Sequence, residues 1–273
     1  MSDSVLGQRA AEALEAIREK KPLIHNITNF VVMNYTANAL LACGASPVMA
    51  HAPEEVEEMV AFAGALVLNI GTLSTSWVDA MLTAGRKANE LEIPIILDPV
   101  GSGATRLRTE SARRLMDELS LRVIRGNASE ILSLARKGSR TKGVDSIHRV
   151  EEAEEAAITL AAELRTTLAI TGPVDVVTDG GRVCNVLNGH QLMGYVTGAG
   201  CTATALIGAF LAVETDPVAA AACGLAYFGL AGEQAAVSAS GPGSFQTALL
   251  DTLYRMDRDT LSREARITSA RNL

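Results

Sequence analysis

Short runs of β-branched and other apolar residues alternate with longer amphipathic segments through most of this chain. This alternation narrows the possible folds most, because it is typical of parallel strands joined by crossover helices. The predicted strands are Leu23–Ile27, Ser46–Met49, Leu66–Asn69, Ile95–Asp98, Val123–Arg125 and Thr167–Thr171. We therefore expect a parallel sheet that is covered by helices.

The pattern changes after Thr171. Two further runs, Val174–Thr178 and Arg182–Leu187, flank Asp-Gly-Gly, which suits an antiparallel hairpin and makes the expected sheet mixed. The rest of the chain is predicted to be mostly helical, over Cys201–Val213, Pro217–Ser240 and Ser244–Met256. No repeat, low-complexity tract or Pro/Ser-rich linker divides the sequence, so we expect a single domain over residues 1–273.

The composition favours a small-molecule partner. A net charge of −7 and an aromatic content of 4% speak against a nucleic-acid binder, which needs a basic face and stacking rings. An anionic ligand must then be held by local devices such as helix N-termini or single arginines. The longest apolar late run, Val218 to Gly232, is too short for the roughly 20 residues of a membrane-spanning helix.

The cysteines indicate a reducing compartment. All four are widely scattered, with no CxxC pair, so neither a disulfide framework nor a zinc site is expected. The N-terminal segment has the pattern of an amphipathic helix and lacks the apolar core of a signal peptide. Together these features predict a cytoplasmic protein.

The glycine-rich segment Gly198-Ala199-Gly200 directly precedes an apolar helix. Unpaired amides and the positive end of the helix dipole meet at such an N-terminus, which can bind a phosphate without a lysine. We call this N-terminus, at Gly198-Ala199-Gly200, the helix mouth. The alternative is that these glycines only let the helix pack against a strand. The segment is neither a Walker A loop nor a GxGxxG motif.

Cys201 follows this segment directly. A helix N-terminus lowers the pKa of a cysteine and favours the thiolate, whereas nearby phosphate charge opposes this. A buried, inert cysteine is the other interpretation. The sequence leaves the protonation state of this thiol open.

Several motifs occur together with this helix mouth. They are ITNFVVMNYTANALLACGASPVMA, LNIGTLS, LDPVGSGAT, RGNASE, VTGAGC and GPGSFQ. In this set and order the chain, over about Pro22 to Leu253, closely resembles the hydroxyethylthiazole kinase family of the ribokinase-like superfamily. Cysteine at the position of Cys201 is a feature of this branch, where related sugar and pyrimidine kinases usually carry aspartate. The resemblance implies a ribokinase-like three-layer α/β/α sandwich with a mostly parallel central sheet.

The family's reaction moves the γ-phosphate of ATP to the primary hydroxyl of 4-methyl-5-(2-hydroxyethyl)thiazole, in thiamine salvage. The resemblance implies that Asp98 and Glu130 help to hold Mg²⁺, the second usually through water. It also assigns Arg125 and Thr171 to ATP. Taken alone, each acid is more simply explained as a solvated carboxylate or as a residue in the first turn of a helix. Thr171 alone is as well explained as a hydroxyl that satisfies a loop amide.

On the acceptor side, Asn29, Met49 and the backbone of Gly198 match the family's thiazole contacts. Asn29 could instead cap a helix that begins near Phe30, and a methionine often fills a core. The segment Gly198, Ala199 and Gly200 would form an anion hole for the transferred phosphoryl group, with Cys201 as a weak base or positioning group. Family members form homotrimers with active sites at subunit boundaries.

Other functions remain open at this stage. A hydroxymethylpyrimidine or sugar kinase would share the phosphate machinery, a nucleotide-binding sensor would keep the pocket without catalysis, and a repair dehydratase for hydrated nicotinamide nucleotides shares the fold. The histidines His25, His51, His148 and His190 form no metal-spaced pair and are interpreted as surface or hydrogen-bonded structural residues. Trp77 is interpreted as a packing residue.

Overall fold

All strands of the described residues form one sheet. The computed structural model describes residues 3–135 and 150–272, and within them the strand order is β2-β1-β3-β4-β5-β6-β7-β8-β9. The strands are β1 Leu23–Ile27, β2 Ser46–Val48, β3 Ala65–Asn69, β4 Ile95–Asp98, β5 Val123–Asn127, β6 Thr167–Thr171, β7 Asp175–Thr178, β8 Arg182–Val186 and β9 Ile267–Asn272. The pairings from β2 to β6 are parallel and those from β6 to β9 are antiparallel.

Helices cover both faces of this sheet. They are α1 Asp3–Lys20, α2 Met33–Cys43, α3 Val56–Val60, α4 Thr75–Glu90, α5 Arg106–Glu118, α6 Ala128–Ser133, α7 Val150–Leu164, α8 Ala199–Leu211, α9 Pro217–Ser238, α10 Pro242–Arg255 and α11 Arg258–Glu264. A short 3-10 turn, Gln191–Tyr195, precedes α8. In residues 3–135 and 150–272, none of the helices combines the length and apolarity that a membrane crossing requires.

Two separate cores explain the three layers. Successive strand residues point to opposite faces, so Leu66 and Leu68 pack with the helices α3 to α7, whereas Val67 packs with α1, α2 and α8 to α11. Both faces are apolar because both are covered, as in other mostly parallel sheets. The predicted α/β/α sandwich with a mostly parallel sheet is confirmed.

The sequence did not predict one of the strands, and helix α8 begins earlier than predicted. The last strand, β9, pairs antiparallel with β8, although its sequence contains three polar residues in the core of the strand, Thr268, Ser269 and Arg271. Helix α8 begins at Ala199 instead of Cys201, so the predicted glycine segment forms its first turn. His148 lies outside the described residues.

Helix α8 crosses the middle of the sheet in close contact with it. A Cβ atom on Gly208 would lie 2.8 Å from the Val67 side chain on β3, so this glycine lets the helix approach the strand. The close packing that the sequence left open for the earlier glycines is thus also found at Gly208, further along the helix. The N-terminus of α8 is left pointing to the carboxyl edge of the parallel strands, where ligands of such sheets bind.

Candidate active site

A row of polar side chains lies along the carboxyl edge of the parallel strands. Asn69 ends β3, Asp98 ends β4 and Thr171 ends β6, while Arg125 lies in β5 and Asn29 follows β1 by two residues. The register pairs Asn69 directly with Asp98. Neighbouring strands therefore bring together five residues that are far apart in the sequence, four of which the sequence singled out.

Hydrogen bonds join Asn29, Asn69 and Asp98 of this row to α8. The Asn29 amide donates to Asn69 Oδ1 at 2.8 Å and to Cys201 Sγ at 3.5 Å. Asn69 in turn donates to Asp98 Oδ2 at 2.8 Å. Thr204, one turn into α8, donates to the same carboxylate oxygen at 2.8 Å. This network fixes the first turn of the helix against the strand ends.

Gly198 sets the geometry of the helix mouth. It is the N-cap of α8 with φ of 81°, in the left-handed region, and a Cβ there would lie 2.3 Å from the Val32 side chain. Both constraints require glycine. The amide of Thr202 bonds to the Gly198 carbonyl, which leaves the amides of Gly200 and Cys201 without an intrahelical acceptor.

Arg125 connects the mouth to Thr171, the other residue that the resemblance assigned to ATP. Its guanidinium donates to the Thr171 hydroxyl, and one of its nitrogens lies 3.9 Å from Asp98 Oδ2. A Cβ on Gly200 would lie 2.7 Å from Arg125 Nη1, so the guanidinium rests directly on the helix backbone. A cation and the positive helix end therefore share one small region, an arrangement suited to an anionic phosphoryl group.

The thiol of Cys201 is protonated at neutral pH. Burial, and next the negative charge of Asp98, raise its pKa to about 11, although the amides of Asn69 and Asn29 oppose the rise. The structure thus decides the protonation state that the sequence left open, in favour of the neutral thiol. Burial prevails because removing a charged sulfur from water costs more free energy than the two amides and the positive charge of Arg125 provide.

Burial is also the main influence on the pKa of Asp98. It raises the pKa of this carboxyl to about 6, against the lowering effects of Arg125 and the hydrogen bonds from Thr204 and Asn69, and the charge of Glu130 adds to the rise. A nearby cation stabilises the charged form of a carboxyl group that is buried in this way. The two acids predicted to hold Mg²⁺ thus lie close enough to influence each other.

Glu130 accepts two backbone hydrogen bonds. Its Oε2 accepts from the Asn127 amide at 2.9 Å in a capping box at the start of α6, and its Oε1 accepts from the Gly101 amide at 2.8 Å. Glu130 therefore does lie in the first turn of a helix, the alternative that the sequence left open. Through Gly101 the same side chain also fixes the loop after β4, next to Asp98.

The two acids fit a magnesium ion that is bound mainly through water and phosphate. Among the described residues no group of three or more His, Cys, Asp or Glu side chains could enclose a metal. Mg²⁺ usually keeps several waters and uses one or two carboxylates together with substrate phosphates. Asp98 and Glu130 supply that number of carboxylates, beside the helix mouth where phosphate would lie.

A cleft opens beside the mouth, lined by Ala199 and Gly200 but not by Cys201. It encloses about 590 Å³, and its lining includes Arg125, Thr171, Asp175, Asn188, His190, Ala199, Gly200 and Phe228. Residues from the antiparallel half of the sheet, such as Asp175, and from helix α9, such as Phe228, form its outer wall. Both residues that the resemblance assigned to ATP line this cleft.

The residues that the resemblance assigned to the thiazole do not line this cleft. Asn29 does not cap a helix, because α2 begins at Met33 and its N-cap is Val32. Its Oδ1 instead accepts from the Val31 amide at 3.1 Å, while its amide nitrogen reaches Cys201. Met49 directly follows the edge strand β2 and is half-buried, at the same carboxyl edge.

Two residues of the network were missed by the sequence reasoning. Asn69 closes an apolar strand in the same way as Asp98 does, and this matching position was the signal that could have revealed it. Thr204 gave no such signal, because a threonine inside an apolar helix usually bonds to its own backbone. Thr204 does so with the Gly200 carbonyl at 3.3 Å, in addition to its bond to Asp98.

Known proteins match the chain over nearly its full length. The sequence profile of the hydroxyethylthiazole kinase family matches residues 14–259. A hydroxyethylthiazole kinase of Desulfotalea psychrophila is 66% identical over 258 residues, which cover 94% of each chain. One of Desulfosudis oleivorans is 54% identical over 269 residues, which cover 98% of each chain.

Solved structures agree with these sequence matches. The structure of a hydroxyethylthiazole kinase protein from Pyrococcus horikoshii OT3 has a TM-score of 0.89 at 48% identity, covering 96% of this chain and 99% of that one. A pyridoxal kinase of Bacillus subtilis, in an ADP complex, has a TM-score of 0.59 at 20% identity and shares the fold; the match covers 78% of this chain and 92% of that one. Because the family profile spans most of the chain and both sequence relatives are more than half identical to it, the chain belongs to the hydroxyethylthiazole kinase family.

Proposed function

We propose that this protein transfers the terminal phosphoryl group of ATP to the primary hydroxyl of 4-methyl-5-(2-hydroxyethyl)thiazole, in thiamine salvage. Membership of the family supports the substrate. The observation that carries the chemistry is the position of the α8 mouth, which has Cys201 and Asn29 on one side and Arg125 on the other. A phosphoryl group at this mouth would face the acceptor alcohol across Gly200.

The phosphoryl group would be held by backbone and cation together. Phosphoryl transfer requires neutralisation of charge on the transferring oxygens and in-line placement of the acceptor. The amides of Gly200 and Cys201 would donate to those oxygens, with Gly198 and Ala199 shaping the turn, and Arg125 would add a positive charge. Thr171 would bind ATP from the cleft and hold the Arg125 guanidinium in place.

Cys201 would position the acceptor hydroxyl more than it would remove its proton. With a pKa of about 11, the thiol stays neutral in the working range. In a loose transition state the alcohol keeps its proton until late, so alignment matters more than a strong base. A neutral thiol beside Asn29 can donate or accept one weak hydrogen bond to that hydroxyl. Met49 would offer a polarizable surface to the sulfur-containing ring.

Asp98 and Glu130 would hold Mg²⁺, with Glu130 acting through water. The ion supplies charge neutralisation on the phosphate oxygens when it is bound. Asp98 would keep the hydrogen bonds from Asn69 and Thr204 on Oδ2, and its Oδ1 would be available to the ion or to one of its waters. Glu130 would keep the loop after β4 in place through Gly101.

We also propose a cytoplasmic homotrimer with active sites at subunit boundaries. Phe30 and Val31, which follow Asn29 directly, are 63% and 64% exposed, and they adjoin the site. Exposed apolar residues beside a binding site are typical of a surface that a partner covers. Sedimentation across a dilution series tests the assembly, because fully active monomers would refute a shared site.

A kinase assay tests the reaction directly. ADP release is measured with ATP and either the thiazole alcohol or hydroxymethylpyrimidine, with and without Mg²⁺, and the phosphorylated product is identified by mass spectrometry. The thiazole alcohol is expected to be phosphorylated, in a metal-dependent way. Preference for the pyrimidine alcohol would favour the second candidate, another ribokinase-like kinase, whereas no phosphorylated product from either alcohol would favour a nucleotide-binding sensor.

A further inference from the structure

The segment that carries Met49 is fixed from two directions. His25, fully buried in β1, donates from Nε2 to the Ala50 carbonyl at 2.8 Å. His51 donates from Nδ1 to the Met49 carbonyl at 3.3 Å. Burial also lowers the pKa of His25, although the bond to Ala50 opposes the change. The carbonyls of Met49 and Ala50, in two successive peptide bonds, are thus each held by an imidazole.

An aromatic cluster then connects this segment to a second one. The His51 ring stacks on Trp77 with centroids 4.1 Å apart and an interplanar angle of 29°. On the same indole, the Phe30 ring lies at 4.9 Å with an angle of 55°. These separations are typical of favourable ring contacts. We call Phe30, His51 and Trp77 the aromatic clamp.

Trp77 is the central ring of the clamp and is itself well fixed. It lies in the first turn of α4, its amide donates to the Ser74 hydroxyl at 3.3 Å, and its side chain is buried. Its indole N–H has no hydrogen-bond partner among the described residues. The indole therefore contacts His51 and Phe30 by ring packing alone. Replacing it by phenylalanine removes no hydrogen bond.

The other end of the clamp reaches the acceptor network. Phe30 follows Asn29 directly, and its amide donates to the Thr72 hydroxyl at 3.1 Å. Asn29 in turn contacts Cys201 Sγ. The clamp thus ties the segment carrying Met49 to the segment carrying Asn29, which come from the carboxyl ends of two different strands.

We propose that Trp77 and His51 are positioning residues for the acceptor alcohol, which act by holding the Met49 and Asn29 segments at a fixed separation. This inference rests on the proposed function. A small flat ring between the two segments gains affinity when both are preorganised. Arg125 and Thr171 lie on the other side of the α8 mouth, so ATP binding does not depend on the clamp.

Steady-state kinetics of His51→Ala provides the first test, because this half-buried ring can be removed without opening the core. An aromatic contact is worth up to about tenfold in affinity, so KM for the thiazole alcohol should rise about three- to tenfold. The values of kcat and of KM for ATP should stay within about twofold of the wild type. His51→Phe keeps the stacked ring and should restore most of the loss.

Trp77 gives a second readout, since it is the only tryptophan of the chain. Its emission should change as the thiazole alcohol is added without nucleotide. The same titration of His51→Ala should give a dissociation constant weaker by the same factor as KM. Trp77→Phe, assayed kinetically, should also raise KM for the thiazole alcohol and leave KM for ATP unchanged.

Leu91→Ala is the matched control, because this half-exposed residue lies at the opposite end of α4, away from the site. It should change none of these values. The proposal is overturned if His51→Ala binds the thiazole alcohol as the wild type does, or if KM for both substrates rises equally. A wild-type protein that phosphorylates no thiazole alcohol overturns the proposed function as well, whereas an active wild type with an insensitive His51→Ala overturns the clamp alone.

Discussion

The two sides of the α8 mouth are built differently. On the acceptor side, the polar side chains of Asn29, Asn69 and Cys201 are joined to one another and to Asp98 by hydrogen bonds. On the nucleotide side, a cleft of about 590 Å³ is open, and the buried Nε of Arg125 has no hydrogen-bond partner among the described residues. On the acceptor side the polar groups already bond to one another. The nucleotide side keeps a cation and a hydrogen-bond donor that has no partner among the described residues.

This difference matches the ligands that we propose. A small, weakly polar alcohol gains little from strong charges and needs a rigid pocket of the right shape. A triphosphate requires donors and positive charge that are not already consumed by the protein. The predictions that follow test whether the two sides can be disturbed separately, beginning with the residue that belongs to both.

Asp98→Ala is expected to have the largest effect, because it damages both sides. It removes the acceptor that holds Asn69 and Thr204 and the negative charge that faces Arg125. We expect kcat/KM to fall by about 100- to 1000-fold, measured in the coupled kinase assay. Glu110→Ala, which removes an exposed ion pair with Arg106, is the control and should change kcat/KM by less than about twofold.

Gly200→Ala is expected to disturb the nucleotide side. Its Cβ would lie 2.7 Å from Arg125 Nη1 and would displace the guanidinium from the mouth. A displacement of this size costs about 30- to 100-fold in kcat/KM for ATP. Gly243→Ala is matched to it, because Gly243 is also the second residue of a helix and a Cβ there meets no atom within 4 Å. Equal activity of the two variants would remove the guanidinium contact from the explanation.

Cys201→Ala should disturb the acceptor side alone. Turnover should fall by at least about tenfold, near 1.4 kcal/mol in the barrier, because the hydroxyl loses one positioning contact. Cys201→Asp should stay active, as the aspartate of related kinases suggests. Steady-state kinetics on both variants decides the matter: unchanged turnover in Cys201→Ala would make this cysteine a structural residue.

Iodoacetamide should have the smallest effect. Only the thiolate reacts, and burial raises the pKa of all four cysteines, so activity near neutral pH should survive prolonged treatment. Mass spectrometry would count the modified cysteines, with protein unfolded in guanidinium as the control in which all of them react. Rapid modification of Cys201 in the folded protein would contradict a closed acceptor side.

The sequence alone predicted eight of the nine described strands, the family, and a set of residues that the structure places close together. Apolar runs of strand length specify a parallel sheet, because only such runs can be buried on both faces. Polar residues that close those runs, such as Asp98 and Thr171, must lie at one edge. Eight of the ten predicted site residues lie at the helix mouth, in the lining of the cleft or in the network beside it. Glu130 is close enough to raise the pKa of Asp98, and Met49 lies at the same edge of the sheet.

Only the tertiary structure decided which groups touch and how they are charged. The contact of Arg125 with Gly200, the bond from Thr204 to Asp98 and the aromatic clamp join elements that are distant along the chain. The protonation of Cys201 was decided in the same way, because its pKa depends on burial and on the charge of Asp98. Hydrophobic pattern is a local property of the sequence, whereas desolvation and side-chain contact are set by every neighbour that the fold brings together.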